Sequence, residues 1–162
     1  MMNVRIDRAT RVLVQGITGR AGRQHTKLMR EYGTNVVAGV SPKAGADVDG
    51  VPVFADCGAA IAATGATASV LFVGAMQLLE AIRDAVNAGI KIIVTPTEGM
   101  PVHDALAARR LTRAAGATWN GASTPGMAVP GAAKLGFLPN SALLPGPLGI
   151  MSKSGTLSYE AG

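Results

Sequence analysis

The sequence is short of aromatic residues, which make up 4% of its 162 positions, and it holds a single cysteine, Cys57. One cysteine excludes an internal disulfide framework, and with it the small stapled folds of oxidising compartments. No apolar run approaches the ~20 residues of a membrane-spanning helix. The opening MMNVRIDRAT is polar and lacks a basic patch followed by an apolar stretch, so no secretory leader is expected. Charge is sparse as well, at 15%, while hydrophobic residues reach 48%. That balance excludes a disordered chain, and with so few aromatics the core must be built from Ala, Val, Ile and Leu. The length fits one ordinary domain. The compartment expected is the cytoplasm, or an organelle matrix after import, with no membrane partner.

Acidic residues are scarce too. Ten Asp and Glu stand against fifteen Lys and Arg, for a formal net charge of +5. A basic excess suits either nucleic acid or a polyanionic small molecule. The basic residues are scattered along the chain (Arg8, Arg11, Arg20, Arg23, Lys27, Arg30), without a dense block and with almost no interleaved aromatics. That pattern argues against nucleic acid as a partner and for the small molecule.

What the sequence does contain is a repeated unit. Four helix-like segments end in glycine (Gly33, Gly65, Gly89, Gly116), each placed where a left-handed residue closes a helix. A β-rich run follows each: NVVAGV (35–40), ASVLFV (68–73), KIIVTP (91–96) and the short TWN (118–120). RVLVQ (11–15) forms an earlier strand and VPVF (51–54) a short one. Residues 20–32, 60–64, 76–88 and 102–115 have helical character, with Leu79, Ile82 and Val86 at helical spacing in the third and Leu106 and Leu111 in the fourth. Strands that are apolar without alternation are buried on both faces. The expected fold class is therefore α/β: a Rossmann-like, doubly wound, mainly parallel sheet in a single domain, with ligands at the carboxyl ends of its strands.

From Gly121 to Pro147 the composition shifts. Ten of these 27 residues are Gly or Pro, which excludes a regular helix and points to a functional loop or a set of short turns. GIMSKSGTLSYEAG then reads as a strand at 149–151, a Ser/Gly turn and the first residues of a helix. The expected organisation is one domain over residues 1–147, with residues 148–162 starting a second, truncated one.

Four stretches carry candidate chemistry. The first is Gln15-Gly16-Ile17-Thr18-Gly19-Arg20-Ala21-Gly22, between the first strand and the first helix. Glycines let the backbone approach a ligand and the helix N-terminus offers free N–H groups, a combination that suits phosphate. The spacing G-x-x-G-x-x-G departs from the strict dinucleotide fingerprint, and a plain tight turn has the same local sequence. The second stretch ends the second strand: Gly39-Val40-Ser41-Pro42-Lys43. An NAD site usually has a carboxylate here for the ribose hydroxyls. Lys43 suits a phosphorylated ribose instead, which leaves coenzyme A and NADP both open; Asp47 and Asp49 follow in a loop. The third is Thr95-Pro96-Thr97-Glu98-Gly99-Met100-Pro101, where Thr97 or Glu98 could also cap the next helix. The fourth, Ser152 to Glu160, places hydroxyls and a glycine at a helix start, an anion site or an ordinary cap.

Taken together and in this order, these stretches resemble the α subunit of succinate–CoA ligase (succinyl-CoA synthetase). The resemblance rests on QGITGRAG (15–22), the turn with Lys43, GVPVF (50–54), ATGATASVLFV (63–73), AGIKIIVTPTEGMP (88–101) and SKSGTLSYE (152–160). It implies that this region is the amino-terminal coenzyme-A-binding domain, with Thr18, Gly19, Arg20 and Ala21 wrapping the cofactor. It also implies cofactor contacts from Lys43, Pro96, Thr97 and Glu98. Ser154, Gly155 and Thr156 would start the helix that faces a phosphohistidine, and Tyr159 would lie near the organic acid. The family couples a nucleoside triphosphate, through that phosphohistidine, to an acyl phosphate that the thiol of coenzyme A attacks. The phosphohistidine is expected beyond residue 162 and the nucleotide site on a β subunit partner, so the chain is expected to bind without catalysing. His25, in RQHTK, and His103, in PVHDA, are read as surface histidines. One departure stands out. Where the family carries G-P-N-C-P-G this chain has Gly121-Ala122-Ser123-Thr124-Pro125-Gly126, which leaves the acid open.

Overall fold

The computed structural model describes residues 5–45, 47–152, 154–155 and 157–160. The strands expected from the sequence form β1 (Val12–Gln15), β2 (Val36–Val40), β4 (Val51–Phe54), β5 (Ala68–Leu71), β6 (Ile92–Thr95) and β7 (Thr118–Gly121). With β3 (Asp47–Val48) they make a seven-stranded sheet in the order β3-β4-β2-β1-β5-β6-β7. Every pairing is parallel except that of the edge strand β3. β1 and β5 are buried at every position, as parallel strands covered on both faces must be. The chain runs outward from β1 in one direction, then returns to its other side at β5. That reversal opens a crevice at the carboxyl ends of the strands.

β3 was not anticipated. Of Asp47 and Asp49, both expected in a loop, Asp47 lies in β3, and Asp49 forms with Gly50 the two-residue turn onto β4, both with positive φ (51° and 81°). Asp47 Oδ1 accepts the Gly50 N–H at 2.7 Å. Asp-Gly is a strong signal for this kind of hairpin turn, and it stood in the sequence.

The helices are α1 (Arg20–Glu31), α2 (Cys57–Thr64), α3 (Leu78–Asn87), α4 (Val102–Ala114) and the short α5 (Leu157–Glu160). The four expected glycines all adopt positive φ after α1 to α4: Gly33 at 99°, Gly65 at 64°, Gly89 at 93° and Gly116 at 62°. Asp56 caps α2 by accepting the Ala59 N–H at 2.7 Å. On α4 the buried positions are Ala108 and Thr112, while Leu106 is exposed. Pro101 precedes α4 with no side-chain cap, so neither Thr97 nor Glu98 plays that part.

Two cores flank the sheet. On one face Cys57, Ala60, Leu78, Ile82, Ala85 and Ala108 of α2, α3 and α4 pack on Leu13, Leu71 and Ile93. Each fully buried Leu or Ile contributes about 1.5–3 kcal/mol. On the other face Met29 of α1 joins Val12, Val14, Val70 and Val94, together with Ala133 and Leu135. The last two come from the glycine- and proline-rich stretch, which holds an antiparallel hairpin: β8 (Gly126–Val129) and β9 (Ala133–Gly136). The strand expected at 149–151 does not form. Leu148, Ile150 and Met151 are exposed and have no pairing strand, without which extended backbone leaves its amides to water.

Candidate functional site

The crevice contains a cleft of about 370 Å³, lined by Gln15, Gly16, Thr18, Gly19, Ser41, Phe72, Gly74 and their neighbours. Its wall is the glycine loop between β1 and α1. A Cβ on Gly16 would lie 2.5 Å from the Phe72 carbonyl, and one on Gly22 would lie 2.1 Å from the Gly16 carbonyl. Only glycine lets the loop fold this tightly against β5 and lets α1 start so close behind it. No side chain caps α1. Its first-turn amides, which no intrahelical acceptor can reach, therefore stay available to an anion. Among the described residues, no carboxylate lines this cleft.

The second candidate stretch meets the first directly. The hydroxyls of Thr18 and Ser41 are 2.7 Å apart, and the Lys43 N–H donates to Ser41 Oγ at 3.2 Å. Ser41 thus ties the glycine loop to the turn that carries Lys43, whose side chain is exposed. Ser41 was not singled out from sequence, although it holds the position after β2 where an NAD site would have its carboxylate. Gln15, which opens the first stretch, has no role assigned from sequence. Its Nε2 donates to Ser69 Oγ at 3.1 Å and to the Ala81 carbonyl at 3.0 Å, joining β1, β5 and α3 beneath the cleft.

The third stretch adjoins the same cleft. Thr97 Oγ1 donates to the carbonyl of Val73, a cleft residue, at 2.8 Å. Pro96 is buried and Glu98 exposed. The divergent loop lies against them: the Ser123 N–H donates to the Thr97 carbonyl at 3.1 Å, and Ser123 Oγ to Glu98 Oε1 at 3.4 Å. Thr124 turns inward on its own loop, accepting the Gly126 N–H at 3.2 Å. The fourth stretch approaches this loop, since a Cβ on Gly155 would be 3.7 Å from Pro125. Ser154 Oγ accepts the Leu157 N–H at 3.3 Å at the start of α5. Tyr159 belongs to α5, and Thr156 lies outside the described residues. Arg20 and Ala21, in the first turn of α1, are exposed beside the cleft. The first three stretches therefore meet at the carboxyl end of the sheet, and Gly155 of the fourth approaches the loop after β7.

The histidines differ from expectation in one case. His103 is exposed, as expected. His25 is part-buried behind the cleft, stacked on Phe72 at 5.1 Å and tilted against Phe137 at 5.8 Å. Its Nδ1 is buried without a hydrogen-bond partner. Burial, and then the nearby charge of Lys134, hold its pKa below the usual histidine value. A neutral ring packed between aromatics is a wall element.

Residues 7–99 match the family described as "CoA binding domain". The chain belongs to this family. That membership makes coenzyme A the cofactor of this domain, as the sequence reading expected. The similarity extends further. The chain is 47% identical over 160 residues to the succinate–CoA ligase [ADP-forming] subunit alpha 2 of Archaeoglobus fulgidus, covering 98% of this chain and 56% of that protein. It is 42% identical over 165 residues to the malate–CoA ligase subunit alpha of Methylorubrum extorquens, covering 99% and 56%. The chain thus spans a little over half the length of these relatives. Among solved structures, the ATP citrate lyase of Methanothrix soehngenii, in complex with citrate and coenzyme A, superposes with a TM-score of 0.71 at 20% identity. The superposition covers 82% of this chain and 24% of that one, and it speaks for the CoA binding domain fold. Among the described residues, no helix is long and apolar enough to cross a membrane.

Proposed function

We propose that this chain holds coenzyme A at the ligand edge of its sheet as the cofactor domain of an acid–CoA ligase α subunit. The observation that carries the reading is the cleft between the glycine loop and the end of β2, where a hydroxyl pair and Lys43 stand in place of a ribose-binding carboxylate. In this reading Thr18, Gly19, Arg20 and Ala21 wrap the diphosphate, with the free first-turn amides of α1 as donors, Lys43 pairs with the 3′-phosphate, and Pro96, Thr97 and Glu98 flank the rest of the cofactor. Ser154, Gly155 and Thr156 would face a phosphorylated histidine that neither His25 nor His103 can supply, and Tyr159 would face the acid. The nucleotide site would lie on a β subunit, in the cytoplasm. Residues 1–147 would be the cofactor domain and 148–162 the start of the next. The similarity to both a succinate and a malate ligase supports a small dicarboxylate as the acid.

Calorimetric titration of the chain with coenzyme A, dephospho-coenzyme A, NADP and NAD tests this. Coenzyme A should bind best. Loss of the 3′-phosphate, or Lys43→Ala, should each weaken binding roughly tenfold or more, as a lost charge-assisted hydrogen bond of about 1.5–3 kcal/mol requires. A preference for NADP, or indifference to the 3′-phosphate, would overturn the assignment.

A further inference from the structure

Basic residues that look scattered in the sequence are gathered by α1. Arg20, Arg23, Lys27 and Arg30 follow each other at intervals of three, four and three, and all four are exposed. At 100° per residue they fall within about 80° of the helix circumference and run for about 15 Å along its axis. The buried face of α1, carried by Gly22, Thr26 and Met29, points elsewhere. The stripe starts at the cleft mouth, where Arg23 Nε donates to the Thr18 carbonyl at 3.2 Å. It ends where Arg30 donates to the Asp49 carbonyl. The carboxylates facing it are Glu31, 3.9 Å from Lys27, and Asp49, across the groove that Thr26, Lys27, Arg30 and Glu31 line.

Helix stability accounts for Arg30, in the last turn, and for Lys27, paired with Glu31, but not for Arg20 and Arg23. The N-terminus of a helix carries partial positive charge and favours Asp or Glu in its first turn. The first turn of α1 has no acid, and Arg20 and Arg23 lie at or beside it. On the opposite face of the sheet α4 behaves in the ordinary way, with Asp104 in its first turn and Arg113 in its last. Arg20 and Arg23 stand against the dipole of their own helix while Arg30, in its last turn, runs with it; with Lys27 they form one line that opens onto an anion-ready cleft and raises the positive potential along that approach.

We infer that the α1 stripe is an electrostatic entry track for the phosphorylated end of the cofactor, setting the rate at which it reaches the cleft. The inference rests on the coenzyme A reading above and adds a kinetic role for Lys27 and Arg30, which stand apart from the cofactor contacts. Steering of this kind raises association rates about tenfold or more and fades with salt. The screening length falls from about 30 Å at 0.01 M to about 10 Å at 0.1 M.

The test is stopped-flow binding of 1,N6-etheno-coenzyme A to the 162-residue chain and to two charge-reversed variants. Lys27→Glu/Arg30→Glu removes the far half of the stripe. Arg109→Glu/Arg113→Glu changes net charge equally on α4. At low salt the first pair should slow association about three- to tenfold with dissociation unchanged, by the same steering argument. The second should slow it less than twofold, and the difference should vanish at about 0.5 M salt. Lys27→Gln/Arg30→Gln, which spares α1 a run of like charge, should show part of the same slowing. Equal slowing by both reversed pairs would reduce the effect to net charge and overturn the inference. So would a change confined to dissociation. Failure of the wild-type chain to bind at all would overturn the coenzyme A reading with it, whereas tight binding at unaltered rates would remove the entry track alone.

Discussion

The two faces of the sheet are covered by different chemistry. α2, α3 and α4 close one face with alanines and aliphatics at helical spacing. On the other, α1 shares the cover with the β8–β9 hairpin, and Lys134 of that hairpin is 1% exposed. Lys134 Nζ donates to the Leu138 carbonyl at 2.9 Å and to Asn140 Oδ1. Thr34 bridges to the hairpin backbone in both directions, donating to the Lys134 carbonyl at 2.8 Å and accepting its N–H at 3.0 Å. Asn140 Nδ2 reaches the Leu28 carbonyl at 3.3 Å. Burial pulls the Lys134 pKa below its ordinary value, while Glu31 partly opposes that. The first face is held by area removed from water. The second depends on a polar network that must stay complete, because a buried polar group without a partner is costly.

The difference can be broken open by substitution. Ile82→Ala, on the helical face, should cost about 2–5 kcal/mol through lost burial and the cavity left behind. Urea denaturation measures it, and a cost under about 1 kcal/mol would mean that α3 relaxes into the gap. Lys134→Met keeps the stem but removes the donor from Leu138 and Asn140. It should cost about 1–3 kcal/mol. A neutral or stabilising result would show that the hairpin face, like the other, is held by apolar contact alone.

The smallest effect concerns His25. Its lowered folded pKa means that the unfolded chain takes up a proton first as pH falls below the ordinary value of about 6.5. Stability should therefore be flat above that pH and decline below it, until the folded ring also protonates. His25→Phe should flatten the decline between pH 7.5 and 5.5 in urea midpoints; a slope identical to wild type would assign the decline to other groups.

The same contrast explains what could be read in advance. The helices and their strands were legible because apolar runs and closing glycines recur with a regular period on both faces of the sheet, α1 on one and α2 to α4 on the other. The hairpin was not legible. GMAV and AKLG are only four residues each, lie among prolines and glycines, and place a lysine inward. A single buried Lys is set by tertiary partners such as Asn140, not by local pattern. The one local signal was Pro130-Gly131 between two short apolar segments, a turn dipeptide. At the site, the glycine loop and Lys43 were visible because their chemistry is local. Ser41, Gln15 and the seat of Ser123 against Glu98 needed the sheet to bring distant stretches together.

The four left-handed glycines have a consequence for how this architecture can diversify. Each ends its helix and returns the chain to the sheet within a few residues, at the edge remote from the cleft. Those turns have little freedom to lengthen without losing the helix stop. The opposite edge carries the open segments, 41–45, 96–101 and 122–125 among them. Insertions and substitutions that change ligand chemistry can accumulate there while strand register is held from behind. The scaffold is constrained at one edge and permissive at the other, so a change of ligand can begin as a change of loop.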